Sequence, residues 1–226
     1  MIFINGASRG IGKFLLQQYM NLGEIVLGTY NSTTPQTDLS NYIQIDVTDY
    51  VKVEKLVRDL QPRLENITLI NCTGANYNSF AHKADIRKWG DLINLNLVST
   101  FNIIRHFLAL MREQNYGRII NLSSVVAQKG TPGTSAYAAS KAALWGMAKS
   151  IAIENAQKNI TINNLNLGYF DIGMIEDVPI EYREGIKNSI PVKSFGDPIQ
   201  IFNSIEYLRN NSYINGTSVN INAGLY

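Results

Sequence analysis

Short apolar runs rich in β-branched residues alternate with longer amphipathic stretches along this chain, and that alternation constrains the fold more than any single residue does. Ile2–Asn5, Ile25–Thr29, Tyr42–Asp46, Ile67–Asn71, Gly117–Ser123, Thr161–Asn166 and Ser218–Ile221 have the length and composition of strands, and most end in polar residues or glycine. Helical periodicity covers Ile11–Leu22, Tyr50–Leu64, Ile86–Arg112, Ser135–Ala156 and Pro198–Arg209. Apolar strands separated by helices predict an α/β fold: one doubly wound parallel sheet of about seven strands with helices on both faces. No repeat or low-complexity linker interrupts the pattern, so residues 1–226 read as a single domain. Ligands of such sheets bind beyond the carboxyl ends of the strands.

Composition narrows the function. Of the 226 residues 45% are hydrophobic and 17% charged, enough for a sizeable core. A net charge of +2 with no long basic run argues against nucleic acid or an anionic membrane surface as partner. The apolar runs are far too short to span a bilayer. No signal peptide is expected, since the first strand begins almost at Met1. Cys72 is the single cysteine, which excludes an internal disulfide and fits a cytoplasmic location. Asparagine is abundant, without a functional reading of its own.

The first strand runs into Asn5-Gly6-Ala7-Ser8-Arg9-Gly10-Ile11-Gly12 and then into a helix. Gly6 and Gly10 permit a tight turn, Gly12 permits close helix–strand packing, and the helix N-terminus faces an anion such as a pyrophosphate. The spacing is GxxxGxG. An acidic residue at the end of the second strand ordinarily selects NAD over NADP. Here Gly28-Thr29-Tyr30-Asn31-Ser32 carries no carboxylate, and Arg9 is placed to meet a phosphate. Both features favour NADP(H) over NAD(H).

Tyr137-Ala138-Ala139-Ser140-Lys141 puts a phenol and an ammonium one helical turn apart on the same face. A free phenol titrates near ~10, and a neighbouring cation lowers that value toward a range useful for acid–base work. Ser124, from a neighbouring strand end, can hydrogen-bond the same substrate oxygen.

These motifs, in this order, resemble those of the short-chain dehydrogenases/reductases over essentially the whole chain, and within them the 3-oxoacyl-[acyl-carrier-protein] reductase-like group. Asn5–Gly12 looks like the family's TGxxxGIG loop of a Rossmann-type fold. Asp46-Val47 resembles its adenine-binding pair, and Asn71-Cys72-Thr73-Gly74 its NNAG turn. Trp89 and Asn96 match its helix with a proton-relay Asn, Gly117–Ser124 its serine strand, Tyr137–Lys141 its YxxxK, and Asn222-Ala223-Gly224 its terminal turn. The resemblance implies that Tyr137 donates a proton to a carbonyl oxygen as hydride leaves the nicotinamide, and that Ser124 polarises that oxygen. It implies that Lys141 lowers the Tyr137 pKa and holds the cofactor ribose, and that Asn96 places a relay water. It assigns Gly6, Ser8, Arg9, Gly10, Ile11, Gly12, Asp46, Val47, Asn71, Gly74, Gly168 and Phe170 to the cofactor site together with Tyr137 and Lys141. It also implies a substrate lid over residues 171–196 and a homodimer or homotetramer built on the small-faced helix around Ala142, Ala143 and Gly146.

Departures from the family pattern are Asn5 for Thr, Leu167 for Pro, and Ile172 where a Thr usually meets the nicotinamide carboxamide. Only Lys158 remains of the two basic positions expected on a carrier-protein docking face, the other being Asn115. The expected activity is NADPH-dependent reduction of a ketone, a 3-oxoacyl thioester being the first choice, free or bound to a carrier protein. A sugar or other specialised-metabolite ketone is the alternative, and a catalytically silent NADP-binding regulator a weaker one. Cys72 reads as a small packing residue; His82 and His106 read as surface or packing residues with no partner at metal-ligand spacing.

Overall fold

Seven parallel strands form one sheet in the order β3-β2-β1-β4-β5-β6-β7 in a computed structural model that describes residues 1–36 and 38–226. They are β1 (Ile2–Asn5), β2 (Val26–Tyr30), β3 (Tyr42–Gln44), β4 (Thr68–Asn71), β5 (Gly117–Ser124), β6 (Ile160–Leu167) and β7 (Ser218–Ile221). The helices are α1 (Gly10–Asn21), α2 (Tyr50–Leu60), α3 (Ile86–Ile93), α4 (Ser99–Gln114), α5 (Val126–Lys129), α6 (Ser135–Asn155), α7 (Ile180–Ser189) and α8 (Pro198–Asn210). The strand order reverses between β1 and β4, and that switch point is where a doubly wound sheet opens its ligand crevice.

Both faces of the sheet are buried, which explains why β1, β4, β5 and β6 have no exposed residue. On one face Phe3, Leu69 and Ile119 pack with Val53 and Val57 of α2, Phe107 and Met111 of α4, and Ala148 and Ile151 of α6. On the other, Ile4, Ile70 and Leu165 pack with Leu15, Leu16 and Tyr19 of α1 and with Ile201 and Ile205 of α8. Helix starts follow local chemistry: Asp49, Asp85 and Asp197 accept the first free N–H groups of α2, α3 and α8. Helix α1 is different. Its cap position, Arg9, gives no side-chain hydrogen bond, and its first turn carries no acid.

The structure departs from the sequence expectation in four places. The stretch expected as one helix over Ile86–Arg112 is divided by a π-helical segment, Asn94–Val98, between α3 and α4. Ser99 and Thr100 bond back to the carbonyls of Leu95 and Asn96 (2.6 and 3.0 Å), which supports the widened turn. Helix α2 stops at Leu60, and Pro62 turns the chain through a short 3₁₀ segment, Gln61–Arg63. Strand β3 ends at Gln44 rather than Asp46. Two short helices, α5 and α7, fall where the sequence shows little periodicity.

Candidate active site

Helix α6 is fixed on the sheet by polar bonds that also aim its functional side chains. Ser123 Oγ donates to the Lys141 carbonyl (3.0 Å), and Lys141 Nζ donates to the Leu122 carbonyl (2.8 Å). One turn further on, the Trp145 indole N–H reaches Ser123 Oγ (3.1 Å) and Asn166 Oδ1 (2.9 Å). Ser140 Oγ bonds the Tyr137 carbonyl (2.8 Å) and receives Asn96 Nδ2 (3.1 Å). These contacts turn Tyr137 and Lys141 toward the end of β5, where Ser124 sits with its Oγ accepting the Val126 N–H (3.2 Å).

A cleft of about 840 Å³ opens beyond the carboxyl ends of the strands. Of the residues singled out in the sequence, it brings together Gly6, Ser8, Arg9, Gly10, Ile11, Gly12, Asp46, Val47, Gly74, Ser124, Tyr137, Lys141, Gly168 and Phe170. Asn71 and Asn96 are not on its wall. Asn71 is buried within the sheet, and Asn96 lies behind the Gly74–Ala75 turn with its Oδ1 accepting Ala75 N–H (2.9 Å) and its Nδ2 donating to the Ala75 carbonyl (3.0 Å). A Cβ added at Gly74 would stand 3.3 Å from Lys141 Nζ and 3.6 Å from Asn96 Oδ1, so both side chains converge on this turn.

The Gly6–Gly12 end of the cleft has the shape of a cradle for an anion. Gly6 and Gly10 take positive φ (+87° and +52°), and the uncapped N-terminus of α1 faces the cleft through Gly10, Ile11 and Gly12. A Cβ at Gly12 would lie 1.9 Å from the Gly6 carbonyl oxygen, a backbone atom that has nowhere to move. Gly12→Ala is therefore expected to weaken dinucleotide binding more than about tenfold and to cost on the order of 2 kcal/mol of stability. Fluorescence titration with NADPH, alongside thermal unfolding, measures both. Tyr30, Asn31, Ser32 and Thr33 line the adjoining wall without a carboxylate, and Arg9 faces Asp177 across 3.9 Å with both side chains largely exposed.

Electrostatics around Ser124, Tyr137 and Lys141 differ from the sequence expectation in one respect. Burial raises the Tyr137 phenol above its usual value; the Ser124 hydrogen bond acts the other way, and the neighbouring Tyr169 adds to the rise. Lys141 does not offset the burial. Its Nζ is 5.8 Å from the Tyr137 ring centre and bonded to Leu122, and its own burial pushes it down to about 8. The net shift of Tyr137 is thus upward, not downward as expected, because desolvation of the phenol outweighs a cation held at that distance. Cys72 also lines the cleft, and burial pushes its thiol up to about 12, far from a reactive thiolate.

Sequence reasoning did not single out Tyr169 or the Thr131–Thr134 turn, both on the cleft wall. Tyr169 directly follows Gly168 at the end of β6, and position beyond a strand end was the available signal. Residues 171–196 form a separate flap. A bridge between Phe170 and Gly196 joins its two ends, with Gly196 N–H donating to the Tyr169 carbonyl (3.0 Å). The flap folds through α7 and brings Gly173 against Gly10, where an added Cβ would be 2.9 Å from the Gly173 Cα. Ile172, Met174, Ile175, Val178 and Ile186 give the cleft an apolar side.

A dinucleotide cradle at the switch point and a Ser–Tyr–Lys cluster at the other end of the same cleft define a class, and comparison with known proteins places the chain in it. The sequence profile described as short chain dehydrogenase matches residues 1–182, and the chain belongs to that family of oxidoreductases. Among its relatives is the 3-oxoacyl-[acyl-carrier-protein] reductase FabG of Haemophilus influenzae, 30% identical over 99% of this chain and 96% of the relative. The FabG proteins of Escherichia coli and Staphylococcus aureus are also 30% identical with the same coverage. A crystal structure of "a putative gluconate dehydrogenase" from Agrobacterium tumefaciens shares the fold, with a TM-score of 0.89, 22% identity, and coverage of 100% of this chain and 95% of that one. No helix among the described residues is long and apolar enough to cross a membrane.

Proposed function

We propose that this protein is an NADPH-dependent carbonyl reductase that converts a ketone to an alcohol, with a 3-oxoacyl thioester as its substrate class. The observation that carries this reading is one cleft holding the Gly6–Gly12 cradle at one end and Ser124, Tyr137 and Lys141 at the other. The FabG relatives, named for a 3-oxoacyl substrate on a carrier protein, favour the thioester over other ketones. The apolar side formed by Ile172, Met174, Ile175, Val178 and Ile186 suits an acyl chain, and the flap over residues 171–196 is read as the lid that covers it.

The residues present fit a dinucleotide. Gly6, Gly10 and Gly12 leave room for a pyrophosphate against the α1 N-terminus, Asp46 and Val47 on the same cleft would hold the adenine, and Lys141 beside Gly74 would hold the ribose. When bound, the nicotinamide supplies the hydride. Tyr137, kept protonated at neutral pH by burial, gives its proton to the carbonyl oxygen. Ser124 Oγ accepts from Val126, and its one O–H, directed to Tyr137 in this structure, would turn to the substrate to donate to that oxygen. Charge left on the tyrosine is then met by Lys141 across the cleft floor, and Asn96 behind Gly74 is read as the link by which the proton is replaced. The same resemblance makes a cytoplasmic homo-oligomer the expected form, with the exposed Phe101 of α4 and Ile153 of α6 on faces open to a second copy.

Selection of NADPH is assigned to Arg9, with the carboxylate-free wall at Tyr30–Thr33 admitting the 2′-phosphate. Arg9→Ala is expected to lower the NADPH-over-NADH preference in kcat/KM by about 10- to 100-fold while leaving NADH kinetics nearly unchanged, since one charge-assisted bond is worth about 1.5–3 kcal/mol. Steady-state kinetics with both cofactors check this. An unchanged ratio removes Arg9 from the specificity site.

A further inference from the structure

Strand β6, Ile160–Leu167, carries Asn163, Asn164 and Asn166 although every one of its residues is buried. Such a strand is tolerable only if the amides find partners, and Asn164 finds its partners in a row of polar side chains that runs at matching register through β1, β4, β5 and β7. Asn5 stands opposite Asn71, Asn71 opposite Asn121, Asn121 opposite Asn164, and Asn164 opposite Ser218. The four asparagines are at most 3% exposed. Their amides run head to tail: Asn5 Nδ2 donates to Asn71 Oδ1 (3.3 Å), Asn71 Nδ2 to Asn121 Oδ1 (2.9 Å), Asn121 Nδ2 to Asn164 Oδ1 (3.1 Å), and Asn164 Nδ2 to Ser218 Oγ (3.1 Å).

The other end of the row reaches the cofactor loops. Asn5 Oδ1 accepts the hydroxyls of Thr29 (3.1 Å) and Thr73 (2.9 Å), and Thr29 Oγ1 accepts the Gly6 N–H (2.9 Å). One file of hydrogen bonds therefore crosses six strands, from β7 to β2, and ends on the two glycine turns of the cleft.

An amide side chain has nearly the same shape either way round, so its direction is set by its neighbours. Reversing one amide in the row would set acceptor against acceptor on one side and donor against donor on the other. A buried group left unpaired forfeits its hydration without a replacement bond, so the row keeps a common direction or loses it as a unit. That direction is what turns the Asn5 carbonyl toward Thr29 and Thr73.

We infer that the asparagine row is a positioning device for the cofactor cradle, in which Asn164, three strands from β1, sets the orientation of Asn5 and through it the Gly6 and Gly74 turns. Its consequence for NADPH rests on the reading of those turns as the cofactor site; its consequence for the Gly6 amide does not.

The test pairs Asn164→Val with Asn164→Thr, two side chains of one shape of which only the second keeps a group that donates and accepts. Amide hydrogen exchange at Gly6 is followed by NMR, and NADPH dissociation constants by fluorescence titration. In Asn164→Val, exchange at Gly6 is expected to accelerate roughly tenfold and NADPH to bind several-fold more weakly; Asn164→Thr is expected to restore both to within about twofold of the natural protein. Equal Gly6 exchange in all three proteins, or equal effects of Val and Thr, overturns the proposal. Failure of NADPH to bind the natural protein would count against the cofactor reading alone, because the Gly6 amide still reports on the row. Should Asn164→Val not fold, Ser218→Ala removes only the terminal acceptor at a half-buried site, and an unchanged Gly6 amide in that variant overturns the proposal equally.

Discussion

Tyr137→Phe is expected to lower kcat for NADPH-linked ketone reduction by about 10²–10⁴-fold, the range over which a positioned general acid contributes. The substitution removes one hydroxyl and keeps the ring that packs at the start of α6, so folding and NADPH affinity are expected to stay within about threefold of the natural protein. Burial holds the Tyr137 phenol above its usual pKa, which keeps it in the donating form at neutral pH. No other residue named for the reaction has that combination: Ser124 is a poor acid, and Lys141 is bonded to Leu122 with its charge turned partly away. The nearest alternative phenol is Tyr169, also raised by burial. A Tyr137→Phe enzyme that retains more than about a tenth of its kcat would move the proton donor to Tyr169 or to solvent. The double variant with Tyr169→Phe would separate those two.

Lys141→Met is expected to produce a protein that is more stable and nearly inactive. Lys141 is 5% exposed, and burial brings its pKa down to about 8 from 10.5. Because the folded state holds this proton less tightly than the unfolded chain does, the charged lysine destabilises the fold. That penalty is fully present below pH 8 and disappears as pH rises from about 8 to 10.5, so the lysine's contribution makes stability rise with pH across that window. At neutral pH the penalty is roughly 3 kcal/mol, of which the lost bond to the Leu122 carbonyl returns about 1 kcal/mol when Met replaces Lys. A net gain of about 2 kcal/mol corresponds to about 5 °C in Tm for a domain of this size. Activity is expected to fall at least about 100-fold, since the charge that meets the deprotonated tyrosine is gone. Thermal unfolding of both proteins between neutral pH and pH 10 reads the sign: the gap narrows as pH rises. A gap that widens, or a variant less stable at neutral pH, would show that the buried ammonium is a stabilising group.

The sequence carried the sheet and the two ends of the cleft plainly, because each rests on a local signal. Strand–helix alternation gave seven strands within one or two residues of those observed, with β3 two residues shorter. The glycine spacing after β1 and the four-residue spacing of Tyr137 and Lys141 are both visible in short windows. What was not legible depends on contacts distant in the chain. The π-helical turn at Asn94–Val98 breaks a periodicity that the sequence continues unbroken. The direction of the Tyr137 shift depends on how deeply the phenol is buried against how far Lys141 Nζ is drawn toward Leu122, and spacing on a helix encodes neither. Asparagine abundance looked featureless for the same reason. Asn5, Asn71, Asn121 and Asn164 become one row only when the strand order sets them side by side.

The most direct measurement is hydride transfer itself: the purified protein incubated with a 3-oxoacyl thioester and NADPH deuterated at the transferring position, with the product examined by mass spectrometry. The expected result is a 3-hydroxyacyl thioester carrying one deuterium per NADPH consumed, and no product from Tyr137→Phe. NADPH that binds tightly yet is consumed neither with this thioester nor with any sugar or other ketone tested would contradict the assignment as a carbonyl reductase.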